Sequence, residues 1–129
     1  MKYSFKTDVR GYELDSYGHV NNAVYINYTE QARWKILKDA GLLEEFQNKE
    51  LLLVVTETNI RYMRELKIFD HIEVRTDIKF EAPYLVFYHD IINSNLGIKS
   101  AKSTVKTLLI DKHRIPQDLP VELLNLVNK

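Results

Sequence analysis

The sequence predicts an α+β fold in which one curved antiparallel sheet wraps a single long helix. Residues 23–40 have helical periodicity and clean end signals, whereas four later segments have strand character. The connections between those later segments are short, and short connections join antiparallel neighbours. At 129 residues the chain suits one domain, taken here as 1–129, with enough surface to bury one core.

Residues 3–10, "YSFKTDVR", form the first expected strand. Tyr3, Phe5 and Val9 mark its apolar side, although the alternation slips in phase at the end. Helix 23–40 comes next. Asn21 or Asn22 can cap its start, because an Asn side chain accepts the first orphan N–H groups. Gly41 can end it by taking the left-handed position after the last turn. On a helical wheel Tyr25, Tyr28, Thr29, Ala32, Ile36 and Ala40 share one arc, which Ile26 and Leu37 extend. Asn27, Gln31, Lys35 and Lys38 lie opposite. Trp34 falls among those polar residues, which hints at a second contact surface.

Residues 42–48 add a helical turn. Segment 51–62 is long and rich in Val and Thr. Segment 72–80 alternates, with Ile72, Val74, Thr76, Ile78 and Phe80 on one face and Glu73, Arg75, Asp77 and Lys79 on the other. That is the pattern of a half-buried antiparallel strand. Segment 84–93 is nearly all apolar or aromatic and is expected at the centre of the sheet. "NSNLG", 93–97, is a turn, 98–110 is the last strand, and 121–127 is a short terminal helix.

Composition narrows the classes of function. With 18 basic and 18 acidic residues, no global field favours nucleic acid or an anionic membrane. The absence of cysteine removes disulfide frameworks, thiolate metal sites and Cys nucleophiles. The longest purely aliphatic run, 51–55, is far short of a membrane span of about 20 residues. The N-terminus alternates and carries charge, unlike a secretory signal. A cytoplasmic protein is expected. His71, His89 and His113 lack metal-ligand spacing and are expected to be structural or exposed. No Gly-rich phosphate loop and no GxSxG elbow occurs.

One stretch carries more hydrogen-bonding capacity than a turn needs: "LDSYGHVNNAVY", 14–25. A strand, then "DxxGHVNN", then a helix resembles the 4-hydroxybenzoyl-CoA thioesterase-like family of hotdog-fold acyl-CoA thioesterases. The matching residues are Asp15, Gly18, His19, Val20, Asn21, Asn22, Tyr25, Glu30, Ala32 and Arg33. A second match lies in "IRYMRELKIFDHIEV", through Tyr62, Arg64 and Asp70. The resemblance covers about residues 3–120. This segment often carries a Pro and a Gly in that family, where this chain has Glu65 and Phe69.

The resemblance implies a hotdog fold and hydrolysis of an acyl-CoA thioester to free acid and coenzyme A. It implies no metal or redox cofactor, and a homodimer or tetramer with sites at the interface. Asp15 is then the nucleophile or general base, and His19 orients it or contacts substrate. Glu30, on the helix, is the alternative carboxylate.

The residues themselves support such chemistry. An ionised carboxylate can attack a carbonyl or activate water. A helix N-terminus offers free N–H groups to an oxyanion. Asn22 supplies that N–H, Tyr25 lies beside it as a substrate-binding candidate, and Gly18 lets backbone approach a ligand. Each has a plainer role. "DSYG" is a good type I turn, Asn22 a helix cap, and Glu30 an ion-pair partner for Arg33 or another chain. Arg61, Arg64 and Lys67 form a basic cluster that suits coenzyme A phosphates or a solvated strand end. An acyl-carrier-protein thioesterase and a non-catalytic acyl-binding module are the other readings.

Overall fold

A computed structural model describes residues 1–127. Five strands form one antiparallel sheet: β1 (Tyr3–Asp8), β2 (Leu52–Tyr62), β3 (His71–Glu81), β4 (Tyr84–Asn93) and β5 (Ile98–Ile110). Their order across the sheet is β1-β3-β4-β5-β2. The apolar segment expected at the centre, β4, is the middle strand. β1 is shorter than expected because Val9 leaves the ladder to bond the 69–70 segment: its N–H donates to Asp70 O and its carbonyl accepts from Phe69 N.

Helix α1 (Asn22–Asp39) lies on one face of the sheet and α2 (Leu42–Asn48) follows it. Gly41 joins them with φ 73°, the left-handed conformation that glycine adopts without penalty. The short α3 (Val121–Leu124) ends three residues before the expected helix does. The "NSNLG" turn forms, with Gly97 N–H donating to Asn93 O at 2.8 Å.

The core has two parts along α1. The C-terminal half of the helix packs Ile36 and Leu37 with α2, Phe87, Leu109 and Leu123. The N-terminal half packs Tyr25, Tyr28 and Ala32 with Val74, Ile91, Val20 and Leu66. This second part is the floor beneath the 14–21 loop, so the loop rests on packed side chains. The expected wheel face is buried except at its ends. Ala40 lies just past the helix and is exposed, and Ile26 is 38% exposed. Arg33 is buried on this face although it is charged. On β3 the expected inner face is buried up to Ile78, whereas Phe80 at the strand end is exposed.

The sheet edges differ. β1 has six residues, two of them charged. β2 has eleven, mostly exposed, with Leu52, Val55 and Tyr62 open to solvent.

Candidate active site

The loop before α1 is a small unit held by a network of backbone hydrogen bonds. Leu14 and Val20 form an isolated antiparallel bridge. Asp15 N–H donates to His19 O at 2.7 Å, and Asn21 N–H donates to Glu13 O at 2.9 Å. Val20 N–H donates to Leu66 O at 2.9 Å and ties the loop to the 63–70 segment. Gly18 closes the turn at φ 76°. The turn itself requires glycine here. A Cβ would meet nothing within 4 Å, so backbone crowding is not the reason, and the space above Gly18 is open.

Asp15 divides its carboxylate. Oδ1 accepts from Tyr17 N–H at 2.8 Å and His19 N–H at 3.2 Å, as an Asx turn does. Oδ2 accepts no hydrogen bond from the described residues and is not enclosed by protein. The turn role and an available oxygen therefore coexist in one side chain.

Asn21, not Asn22, caps α1. Its Oδ1 accepts from Ala23 N–H at 2.9 Å and its carbonyl accepts from Val24 N–H at 2.9 Å. Asn22 is the first helical residue because the chain turns helical one position earlier than the expected 23. Like the other N–H groups of the helix start, the Asn22 N–H has no intrahelical acceptor, and it finds none elsewhere among the described residues. At the other side of the same residue, Tyr62 Oη donates to Asn22 O at 2.7 Å and fixes the first turn of α1 to the end of β2. Tyr25 is buried. Its ring meets Tyr62 edge-on at 5.1 Å and Tyr28 at 6.2 Å, so it supports the first turn from within the core and does not line an open surface. Burial pushes its hydroxyl up to about 12.

The residue that organises the loop is Glu13, which sequence reasoning passed over. Its buried carboxylate accepts from Arg10 N–H at 2.8 Å, Arg10 Nη1 at 3.1 Å and Tyr28 Oη at 2.9 Å. It therefore joins the strand exit, the loop and the middle of α1. Burial, and then the bond to Glu13, raise the Tyr28 hydroxyl above its usual value.

His19 is half-buried, and its imidazole makes no hydrogen bond with the described residues. It lies near Glu65, whose carboxyl is held below the usual range, first by its own backbone N–H. The nearby positive charge of Arg64 and Lys67 adds to that effect. Phe69, where the resembled family often has Gly, sits at φ 67° and is exposed. The backbone thus keeps a left-handed conformation there with a bulky residue in it.

Arg61, Arg64 and Lys67 are exposed and take part in no ion pair among the described residues. Glu30 is exposed. It makes no ion pair with Arg33; its Oε1 accepts from Trp34 Nε1 at 3.3 Å. Eight residues separate it from Asn22, about 12 Å along the helix axis. Trp34 lies at the mouth of a groove beside β2, not on a plain polar face. His89, the buried one of the three distal histidines, reaches Arg33. Arg33 Nη1 donates to His89 Nε2 at 3.2 Å, so the ring proton sits on Nδ1 and is donated to Thr76 Oγ1 at 2.8 Å.

A free amide at a helix start, beside a loop that carries a half-free carboxylate, suits attack on a carbonyl whose oxygen becomes negative. The chain is 35% identical over 71 residues to the long-chain acyl-CoA thioesterase FadM of Escherichia coli, covering 55% of this chain and 54% of that one. It is 31% identical over 85 residues to the chloroplastic acyl-acyl carrier protein thioesterase ATL3 of Arabidopsis thaliana, covering 65% and 45%. It thus spans about half the length of these two curated relatives. The crystal structure of YbaW from Escherichia coli superposes with a TM-score of 0.88 at 26% identity, covering 98% and 99% of the two chains. The architecture is the hotdog fold. Residues 9–126 match the model of the thioesterase-like superfamily, and the chain belongs to that family.

Proposed function

We propose that the protein hydrolyses acyl-CoA thioesters to the free acid and coenzyme A. One observation carries the reading: the unused N–H of Asn22 stands at the start of α1, next to a loop whose Asp15 keeps Oδ2 free. The thioester oxygen sits on that N–H, where the helix dipole favours negative charge. The Asp15 carboxylate then attacks the carbonyl carbon, or takes a proton from the water that does. In both cases the carbon–sulfur bond breaks, coenzyme A leaves as a thiolate and water supplies the acid's new oxygen. His19 is close enough to Asp15 along the loop to hold the substrate or the leaving group. Arg61, Arg64 and Lys67, which make no ion pair among the described residues, receive the phosphates of coenzyme A.

The active form is a homodimer. β2 is a long edge whose unpaired backbone groups and exposed Leu52, Val55 and Tyr62 favour pairing with a second copy. Tyr62 also holds the first turn of α1, so that edge brings the two sites to the interface. The setting is the cytoplasm. A screen of short, long and aromatic acyl-CoAs with thiol detection tests the reading. Turnover of at least one class supports it, and none across the panel leaves an acyl-binding module.

A second reading has its own support. The similarity to ATL3 and the unpaired basic cluster also suit an acyl carrier protein, whose surface is acidic. Comparing an acyl-CoA with the same acyl group on carrier protein separates the two, and Arg64→Glu should raise KM for the true carrier.

A further inference from the structure

The end of β2 at Tyr62 meets α1 at Asn22, and the start of β2 meets it near Leu37. Beside the later part of α1, from Glu30 to Leu37, and between it, α2 and the start of β2, lies a groove of about 720 Å³. Most of its wall is apolar, with Leu37, Leu43, Phe46, Leu51, Leu53 and Phe87. One cation, Arg33, and one carboxylate, Glu30, also line it. Arg33 is only 9% exposed, and Glu30 acts on it through space without coming within ion-pair distance.

The guanidinium is held from behind. Nη1 donates to Thr29 Oγ1 at 3.3 Å and to His89 Nε2 at 3.2 Å, and the group lies 5.9 Å over the Phe87 ring. Nη2 and Nε make no hydrogen bond, and neither is enclosed by protein. Two donors of a planar fork therefore stay unpaired in a residue that lines the groove. Burial lowers the guanidinium to about 10, so it is charged at neutral pH. Glu30 does not reach the guanidinium, whereas a ligand carboxylate that meets both free donors would pair with it at hydrogen-bond distance. A phosphate fits less well, because no second basic residue lines the groove and the walls shed water.

We infer that this groove binds an apolar chain bearing a carboxylate, which Arg33 grips through Nη2 and Nε. The inference deepens the proposed function and rests on it only for where the carboxylate comes from. Arg33 stands eleven residues past Asn22, about 16 Å along the axis. An acyl group whose thioester lies at Asn22 and whose chain follows β2 brings its far end to Arg33. The source is then an ω-carboxyacyl thioester. The other source is the free acid, bound as product.

Binding is read first, without turnover. Calorimetry on the intact protein compares straight-chain alkanoates with primary alcohols of equal length. The acid should bind about tenfold tighter or more. Arg33→Met should remove that difference, and Arg33→Lys should keep part of it. Equal affinity for acid and alcohol in the wild type, or an unchanged difference in Arg33→Met, overturns the inference. The wild-type comparison decides even if Arg33→Met does not fold. Leu53→Trp, which fills the groove, should weaken both ligands, and unaltered binding of both would overturn the location. Kinetics then separates the sources. A preference for ω-carboxyacyl-CoA over the plain ester, lost in Arg33→Met, assigns the far end of the substrate. No preference, with competitive inhibition by the alkanoate, assigns the free acid. Failure to hydrolyse any thioester removes the proposed function and leaves the binding result standing.

Discussion

At the scale of single residues, the buried polar groups decide the behaviour. His89 is held neutral: burial first, and then the charge of Arg33, lower it from 6.5 to about 3. The unfolded chain gains a proton on this residue as the pH falls below 6.5, and the folded chain does not until near 3. Stability is therefore lost on acidification across that window, at up to about 1.4 kcal/mol per pH unit. Urea melts at several pH values should show this slope, and His89→Gln should flatten it. An unchanged slope would mean that other groups dominate. Phe69 tests backbone strain. A left-handed L-residue costs roughly 1–2 kcal/mol, and glycine loses about 0.5–1 kcal/mol in chain entropy. Phe69 is exposed and has little burial to forfeit, so Phe69→Gly should be neutral or stabilising by up to ~1 kcal/mol in thermal melts. A clear loss would show that its ring packs productively. Neither Glu13, Arg33 nor His89 was legible as a buried group in the sequence. Charged side chains usually read as surface, and only the packing of strand, loop and helix sets their partners. Asp15, by contrast, stood out because no simple turn needs so many polar neighbours.

At the scale of elements, local signals reached furthest. The alternation of 72–80, the apolar run at 84–93 and Gly41 after the helix each fixed a real feature, because each depends on near neighbours in sequence. Boundaries were less legible. Asn21 and Asn22 are equally good caps by residue type, and the choice of Asn21 follows from the bond that sends its N–H to Glu13 O. As the first helical residue, Asn22 is among the helix-start residues whose N–H groups have no intrahelical acceptor. Asn21→Ala should cost about 1 kcal/mol of stability, and Asn21→Asp should restore most of it. Chemical denaturation measures both. No change in Asn21→Ala would mean that Tyr62 alone holds the first turn.

At the scale of the whole molecule, two surfaces lead outward: the β2 edge and the groove lined on α1 by Glu30, Arg33, Trp34 and Leu37. The fold class was readable from element order, but the groove was not, because α1, α2 and β2 form it jointly and none does so alone. Sedimentation at micromolar concentration should give at least a dimer, and a clean monomer would remove pairing through β2. The central claim is that the Asp15 carboxylate works with the helix start. Asn in its place keeps the Oδ1 acceptor that Tyr17 and His19 use, so Asp15→Asn should fold as the wild type does. It cannot supply a carboxylate. The deciding measurement is kcat of Asp15→Asn on the best acyl-CoA, with Glu30→Gln as the matched control and a thermal melt of each. The account predicts a fall of at least about 10²–10⁴ in kcat for Asp15→Asn with an unchanged melt, and a far smaller loss for Glu30→Gln. Wild-type turnover in Asp15→Asn would contradict it, and an inactive Glu30→Gln beside it would move the chemistry onto α1.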